Sequence, residues 1–180
     1  MKVSLLEVRK MGIFEEIPPP PVVYHMTDRK NLEAILRDGK IKPIARPGQS
    51  PDYMTFFFPS LEEIPVYIQL TGADKGREYY DFDGRLHTAA PLNHEETVVL
   101  ELTPRGRQEM EWYKEIMGRN EKDEATRALC QYMNDARVCH YGAMPFEKSP
   151  KIMELSEVDK MPKIKKLEEV KKLQDKVKTD

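Results

Sequence analysis

Residues 22–39 constrain the fold more tightly than any other stretch of the chain. Val22, Val23, Tyr24, His25 and Met26 form a run of β-branched and aromatic residues that reads as a short strand. Directly after it, Thr27 or Asp28 can cap a helix whose Leu32, Ile35 and Leu36 fall on one face, with Gly39 as the left-handed stop. A strand feeding straight into a helix has a chemical consequence. His25 lies near the strand end, and the Thr27 hydroxyl, two residues on, projects to the same side. The helix start adds free N–H groups and a positive dipole. An imidazole so placed can hydrogen-bond a ribose hydroxyl through one ring nitrogen. On spacing alone, the other reading is an interior histidine beside a threonine that merely caps.

The remaining elements are expected as follows. Residues 1–17 are mildly amphipathic and end at Pro18–Pro21, a polyproline-like spacer that can neither continue a helix nor donate to a sheet. A turn-rich loop over 43–51 leads to a buried strand at 52–58. Ser60 is placed to cap a second helix through Leu70, which Pro65 makes short, kinked or irregular. Residues 71–94 carry glycines and prolines and no clear period, with at most a hairpin about Asp83-Gly84. A strand is expected over 96–102, helices over 105–118 and 121–134, and strands over 137–144 and 151–155.

The tail changes character from Lys160. Ile164, Leu167, Val170, Leu173 and Val177 make one apolar stripe among lysines and acids, the pattern of a surface or partner-binding helix. The expected division is a domain over 1–159, with 1–21 as an N-terminal arm, and a charged amphipathic helix over 160–180.

Composition narrows the classes. With 180 residues, the chain is about one domain long. Its net charge of −2 provides no global attraction to nucleic acid or an anionic membrane, so any such contact needs a local patch. Two cysteines, Cys130 and Cys139, match no metal motif and are too few for a disulfide framework. Neither a bilayer-spanning run nor a signal-peptide pattern is visible, and a cytoplasmic protein without metal is expected.

The segment Tyr24-His25-Met26-Thr27, followed by Asn31-Leu32, Ile35-Leu36 and Gly39, resembles the opening of DarT-type DNA ADP-ribosyltransferases, within the ADP-ribosyltransferase superfamily. A second block, Asp52-Tyr53-Met54-Thr55-Phe56-Phe57-Phe58, is similar to that family's Asp-Tyr-Val-Pro-Phe-Tyr-Phe strand. The segment 64–67 stands where the family has a Ser-Pro-Met-Leu-Tyr run. Together these cover residues 22–70. The resemblance implies an α+β fold of two small abutting sheets flanked by helices, with NAD as substrate in the cleft between them. It implies cofactor contacts from His25, Met26, Thr27, Asn31, Tyr53 and Tyr67, with Tyr67 stacking on the nicotinamide ring. It further implies a nucleic-acid acceptor, single-stranded DNA first and RNA second, and a toxin–antitoxin setting with a protein partner.

The implied reaction cleaves the nicotinamide–ribose bond through an oxocarbenium-like state, which a carboxylate near the 2′-hydroxyl stabilises. Arg46 is the nearest counterpart of the family's orienting arginine. The family's catalytic glutamate has its natural counterpart at Arg137, which can neither act as a base nor balance positive charge. Glu124, or else Glu147, is then the candidate carboxylate. The alternative is a catalytically altered or inactive relative that binds NAD, nucleic acid or a protein partner. Arg77, Arg85, Tyr79 and Tyr80 combine charge with stackable faces for a single strand, although Asp81 and Asp83 oppose this.

Overall fold

The computed structural model describes residues 14–43, 54–80, 84–106, 111–162 and 165–179, with the side chains at 77, 79, 80 and 179 left aside. It is an α+β architecture built on two antiparallel sheets. One contains β11 (Lys151–Glu154), β7 (Thr97–Leu102) and β2 (Val23–Asp28), in that order. The other runs β1 (Phe14–Glu16), β8 (Trp112–Glu115), β9 (Val138–Tyr141) and β4 (Met54–Phe57). Short pairs β3 (Lys40–Ile41) with β10 (Met144–Pro145), and β5 (Arg77–Tyr80) with β6 (Leu86–Ala89), complete the strands. The second pair is the hairpin expected about Asp83-Gly84.

β7 is the central strand of its sheet, and Val98, Val99, Leu100 and Leu102 are fully buried because both faces are covered. Alternation along β2 divides the cores. Val23 enters the cluster with Phe57, Leu100, Leu102, Trp112 and Val138 between the sheets. Tyr24 and Met26 face the other way, onto Ile64 and Ile68 of helix α2 (Glu63–Thr71) and Leu155 and Val158 of helix α4 (Leu155–Asp159).

Helix α1 (Leu32–Asp38) follows a 3-10 turn at Arg29–Asn31 and ends where Gly39 adopts φ 64°. β2 runs on through Asp28, so Thr27 is a strand residue and neither it nor Asp28 caps a helix with its side chain. Cross-strand pairing of Thr27 with Val98 and Asp28 with Thr97 prevails over the local capping preference. α2 begins three residues after Ser60, which places Pro65 in its first turn, where the missing N–H breaks no helical bond. Helix α3 (Glu124–Ala136) starts at Asp123, whose carboxylate accepts from the Thr126 N–H at 2.8 Å.

The helix expected over 105–118 is not present where the structure describes that stretch. Trp112–Glu115 is a strand between β1 and β9. Trp112 enters the inter-sheet core and Tyr113 the opposite face, each 1% exposed, so burial on alternating sides sets period two there. The final helix, α5 (Lys165–Thr179), packs on α2 and α3 through Val170, which is fully buried. Lys166 pairs with Glu63, Tyr132 donates to Glu169, and the Gln69 and Gln174 amides bond at 2.7 Å. No helix among the described residues is long and apolar enough to cross a membrane.

Leu100→Ala at the centre of β7 is expected to cost about 2–5 kcal/mol by leaving a cavity, whereas Ile152→Thr on exposed β11 should stay within about 1 kcal/mol. Urea-unfolding midpoints of the two variants check this contrast.

Candidate functional site

The two sheets meet along one seam. Tyr24 and Phe58 exchange backbone hydrogen bonds, Tyr24 N–H to Phe58 O at 2.9 Å and Phe58 N–H to Tyr24 O at 2.8 Å. Among the described residues the ladder goes no further. At the next position the His25 ring reaches across, its Nδ1 3.2 Å from the Phe56 carbonyl. Beyond this point no backbone hydrogen bond joins β2 to β4 among the described residues.

The local chemistry follows from that geometry. Burial pushes the His25 pKa down to about 4, and the bond to the Phe56 carbonyl opposes the shift without reversing it. At neutral pH the ring is therefore uncharged. Nδ1–H donates to Phe56, which leaves Nε2 as an acceptor. The side chain is half-buried, packed on the Phe57 ring at a centroid distance of 5.5 Å. Thr27 shares its face of β2 and is 9% exposed. Met26 contributes in another way: its side chain is in the core against α2 and α4. Its backbone N–H and C=O, two residues from those of Tyr24, point to the same edge of β2, the edge away from β7 on the side of β4. Asn31 is exposed at the start of α1 and makes no capping bond.

A second cluster lies on the outer face of β4. The Arg137 guanidinium, at the end of α3, is 4.2 Å from the Phe56 ring centroid and 5.1 Å from that of Tyr67. It pairs with Glu115 of β8 at 2.9 Å, and both side chains are largely buried, 18% and 12% exposed. The Arg137 Nε is buried without a partner. Tyr67 also meets Phe58 edge-on at 5.2 Å. Phe56 and Tyr67 thus gather around the arginine that stands where a glutamate is expected.

Glu124 is exposed, in the first turn of α3. At 1.5 Å per residue it is about 18 Å along the helix axis from Ala136, beside Arg137. Glu147 is exposed in the loop after Phe146. The structure does not bring either to the Arg137 cluster. Arg46 and Tyr53 lie outside the described residues. Sequence reasoning missed two carboxylates. Glu115 holds Arg137, and Glu111 is 3.0 Å from Nε2 of buried His140, whose ring meets Trp112 edge-on at 5.0 Å. The expected helix over 105–118 concealed both, because strand alternation is what directs Glu115 toward Arg137.

A cavity of about 420 Å³ borders the end of β2, lined by Asp28, Lys30, residues 90–93 and Glu96. Neither His25 nor Thr27 lines it. Cys139 is buried and its thiol pKa is pushed up by desolvation, so it remains a neutral thiol. No cluster of His, Cys, Asp and Glu able to hold a metal occurs among the described residues.

No family model matches the chain, and no curated protein matches it. Among solved structures it is similar to Thermus sp. 2.9 DarT in complex with NAD+, at 17% identity over 71% of this chain and 78% of that chain, with a TM-score of 0.35. The carba-NAD+ complex of that protein gives 17% identity, coverage of 88% and 93%, and a TM-score of 0.38. Its complex with ADP-ribosylated ssDNA gives 16% identity, coverage of 92% and 92%, and a TM-score of 0.37.

The depressed His25 pKa has a definite sign in stability. The unfolded chain takes up this proton near pH 6.5 and the folded chain only near pH 4. The contribution is fully present above about pH 6.5 and falls as the pH drops toward 4. Between pH 7 and pH 5, wild type should lose on the order of 1–2 kcal/mol more than His25→Gln. Urea titrations at the two pH values test this, and equal losses would overturn the assignment of a neutral, seam-spanning ring.

Proposed function

We propose that the chain is an NAD-dependent ADP-ribosyltransferase that modifies a nucleic-acid base, with single-stranded DNA as the first acceptor. The observation carrying this reading is that the backbone ladder between the two sheets stops at His25. A neutral imidazole with an accepting Nε2, the Met26 backbone edge and Thr27 all lie where that backbone ladder stops, and the proposed crevice opens there. That set suits a nucleotide. A ribose hydroxyl donates to Nε2, while an amide such as nicotinamide's can pair with a strand-edge N–H and C=O. The sequence resemblance of residues 22–70 supports the same ligand. Asn31, Tyr53 and Tyr67 complete the proposed cofactor contacts.

Transfer breaks the bond between nicotinamide and C1′ of the ribose and forms a bond from C1′ to a base nitrogen or oxygen, whose proton passes to solvent. The developing positive charge at C1′ needs a carboxylate. Glu124 and Arg46 enter as carboxylate and orienting cation. Glu115 is the carboxylate in contact with Arg137, the position at which the resemblance expects a glutamate.

A second reading has one observation in its favour. Arg137 lies over the Tyr67 ring and engages Glu115, so the stacking surface and the nearest carboxylate are both taken. A relative that binds the dinucleotide without transferring it would look like this.

Labelled NAD incubated with the protein and single-stranded DNA, RNA or cell lysate decides between them. Label on DNA is expected, and His25→Ala should lower NAD affinity about tenfold, the effect of one hydrogen bond. Loss of transfer in Glu115→Gln but not in Glu124→Ala would move the carboxylate role to β8. NAD binding without transfer to any acceptor would establish the second reading.

A further inference from the structure

A notch of about 290 Å³ opens between β8, the loop over 116–123 and helix α3. Its charge is unbalanced in a way the fold itself creates. Of the two acids along it, Glu115 is neutralised by Arg137. Lys114 pairs with Asp135. Arg119 from the loop and Arg127 from α3 remain. Among the described residues neither guanidinium has a hydrogen-bond or ion-pair partner, and both are exposed. Among the described residues that line the notch, Glu15 is the remaining acid.

The notch is also preorganised. Asn134, 4% exposed, grips the loop with both ends of its amide, accepting from Met117 N–H at 3.0 Å and donating to Met117 O at 2.9 Å. The next residue, Gly118, has φ +80°, and a Cβ there would lie 2.5 Å from Cys130 Cβ, so only glycine lets the loop press onto α3. Arg119 follows immediately, in the turn that the Glu121 N–H closes onto the Gly118 carbonyl at 3.2 Å. Gln131, one turn beyond Arg127, adds an amide to the same wall.

We propose that this notch seats a phosphate group of the acceptor strand, with Arg119 and Arg127 as its cationic partners. Two guanidiniums on separate, fixed elements suit a phosphodiester, because each can donate a pair of N–H groups to its oxygens. The volume is at the low end of cavities that take a whole small molecule, and it accommodates a phosphate with its sugar rather than a dinucleotide. The wall at Glu115 is shared with the Arg137, Phe56 and Tyr67 cluster, so a strand held here passes beside that cluster. The choice of strand phosphate over the pyrophosphate of NAD rests on the function proposed above.

Anisotropy titrations of a labelled twelve-residue oligothymidylate at several salt concentrations, with parallel calorimetric titrations of NAD, test the assignment. Arg119→Gln combined with Arg127→Gln should weaken oligonucleotide binding about tenfold and flatten the salt slope by about 0.7–1.4, with NAD affinity unchanged. A thermal melt matching wild type confirms that these exposed substitutions leave the fold intact. Unchanged oligonucleotide affinity, or a wild type that binds NAD but no oligonucleotide, overturns the notch and leaves the crevice reading standing. Reduced NAD affinity in the double variant assigns the arginines to the dinucleotide and equally overturns it. Wild type that binds oligonucleotide through these arginines but no NAD upholds the notch and defeats the crevice.

Discussion

Two backbone hydrogen bonds between Tyr24 and Phe58 join the sheets, and the His25 ring takes over where the backbone pairing stops. Had the ladder continued to Met26 and Phe56, the seven main strands would form one continuous sheet. A side chain in place of a backbone bond satisfies the Phe56 carbonyl while letting the strands separate. Because that bond uses Nδ1–H, and burial keeps the ring neutral, the same residue that ends the ladder also keeps Nε2 as an acceptor. Structure and candidate chemistry meet in one imidazole.

The Arg137–Glu115 pair governs the opposite face of β4. A largely buried guanidinium is costly without a counterion, and Glu115 supplies one while Phe56 and Tyr67 offer their ring faces. This arrangement has two effects. It fixes where α3 ends against β8 and β9, and it withdraws Glu115 from the adjoining notch. The basic character of that notch is therefore a consequence of a buried ion pair, in a chain whose net charge is −2. A local patch emerges without global charge.

What could be read along the chain was whatever depends on near neighbours. The β2-to-α1 passage, the Gly39 stop, the β7 strand, the Asp83-Gly84 hairpin and the apolar stripe of α5 all follow from period, turn chemistry and glycine conformation, which act over a few residues. His25 and Thr27 were legible as a pair for the same reason. Their shared side of a strand is a property of alternation alone.

Pairing across long separations could not be read in that way. Trp112–Glu115 is a strand only because β1 and β9 flank it, and this conceals Glu115 until the sheet is assembled. Thr27 belongs to β2 because β7 holds it there, against its preference as a cap. The sequence by itself determined a strand, a histidine and a helix in succession, since those arise from local sterics and side-chain periodicity. The tertiary structure alone decided that this strand would be an edge, that a second sheet would meet it at a single residue pair, and which carboxylates and cations would stand nearby. Those outcomes depend on contacts between residues tens of positions apart, whose energies no local pattern contains.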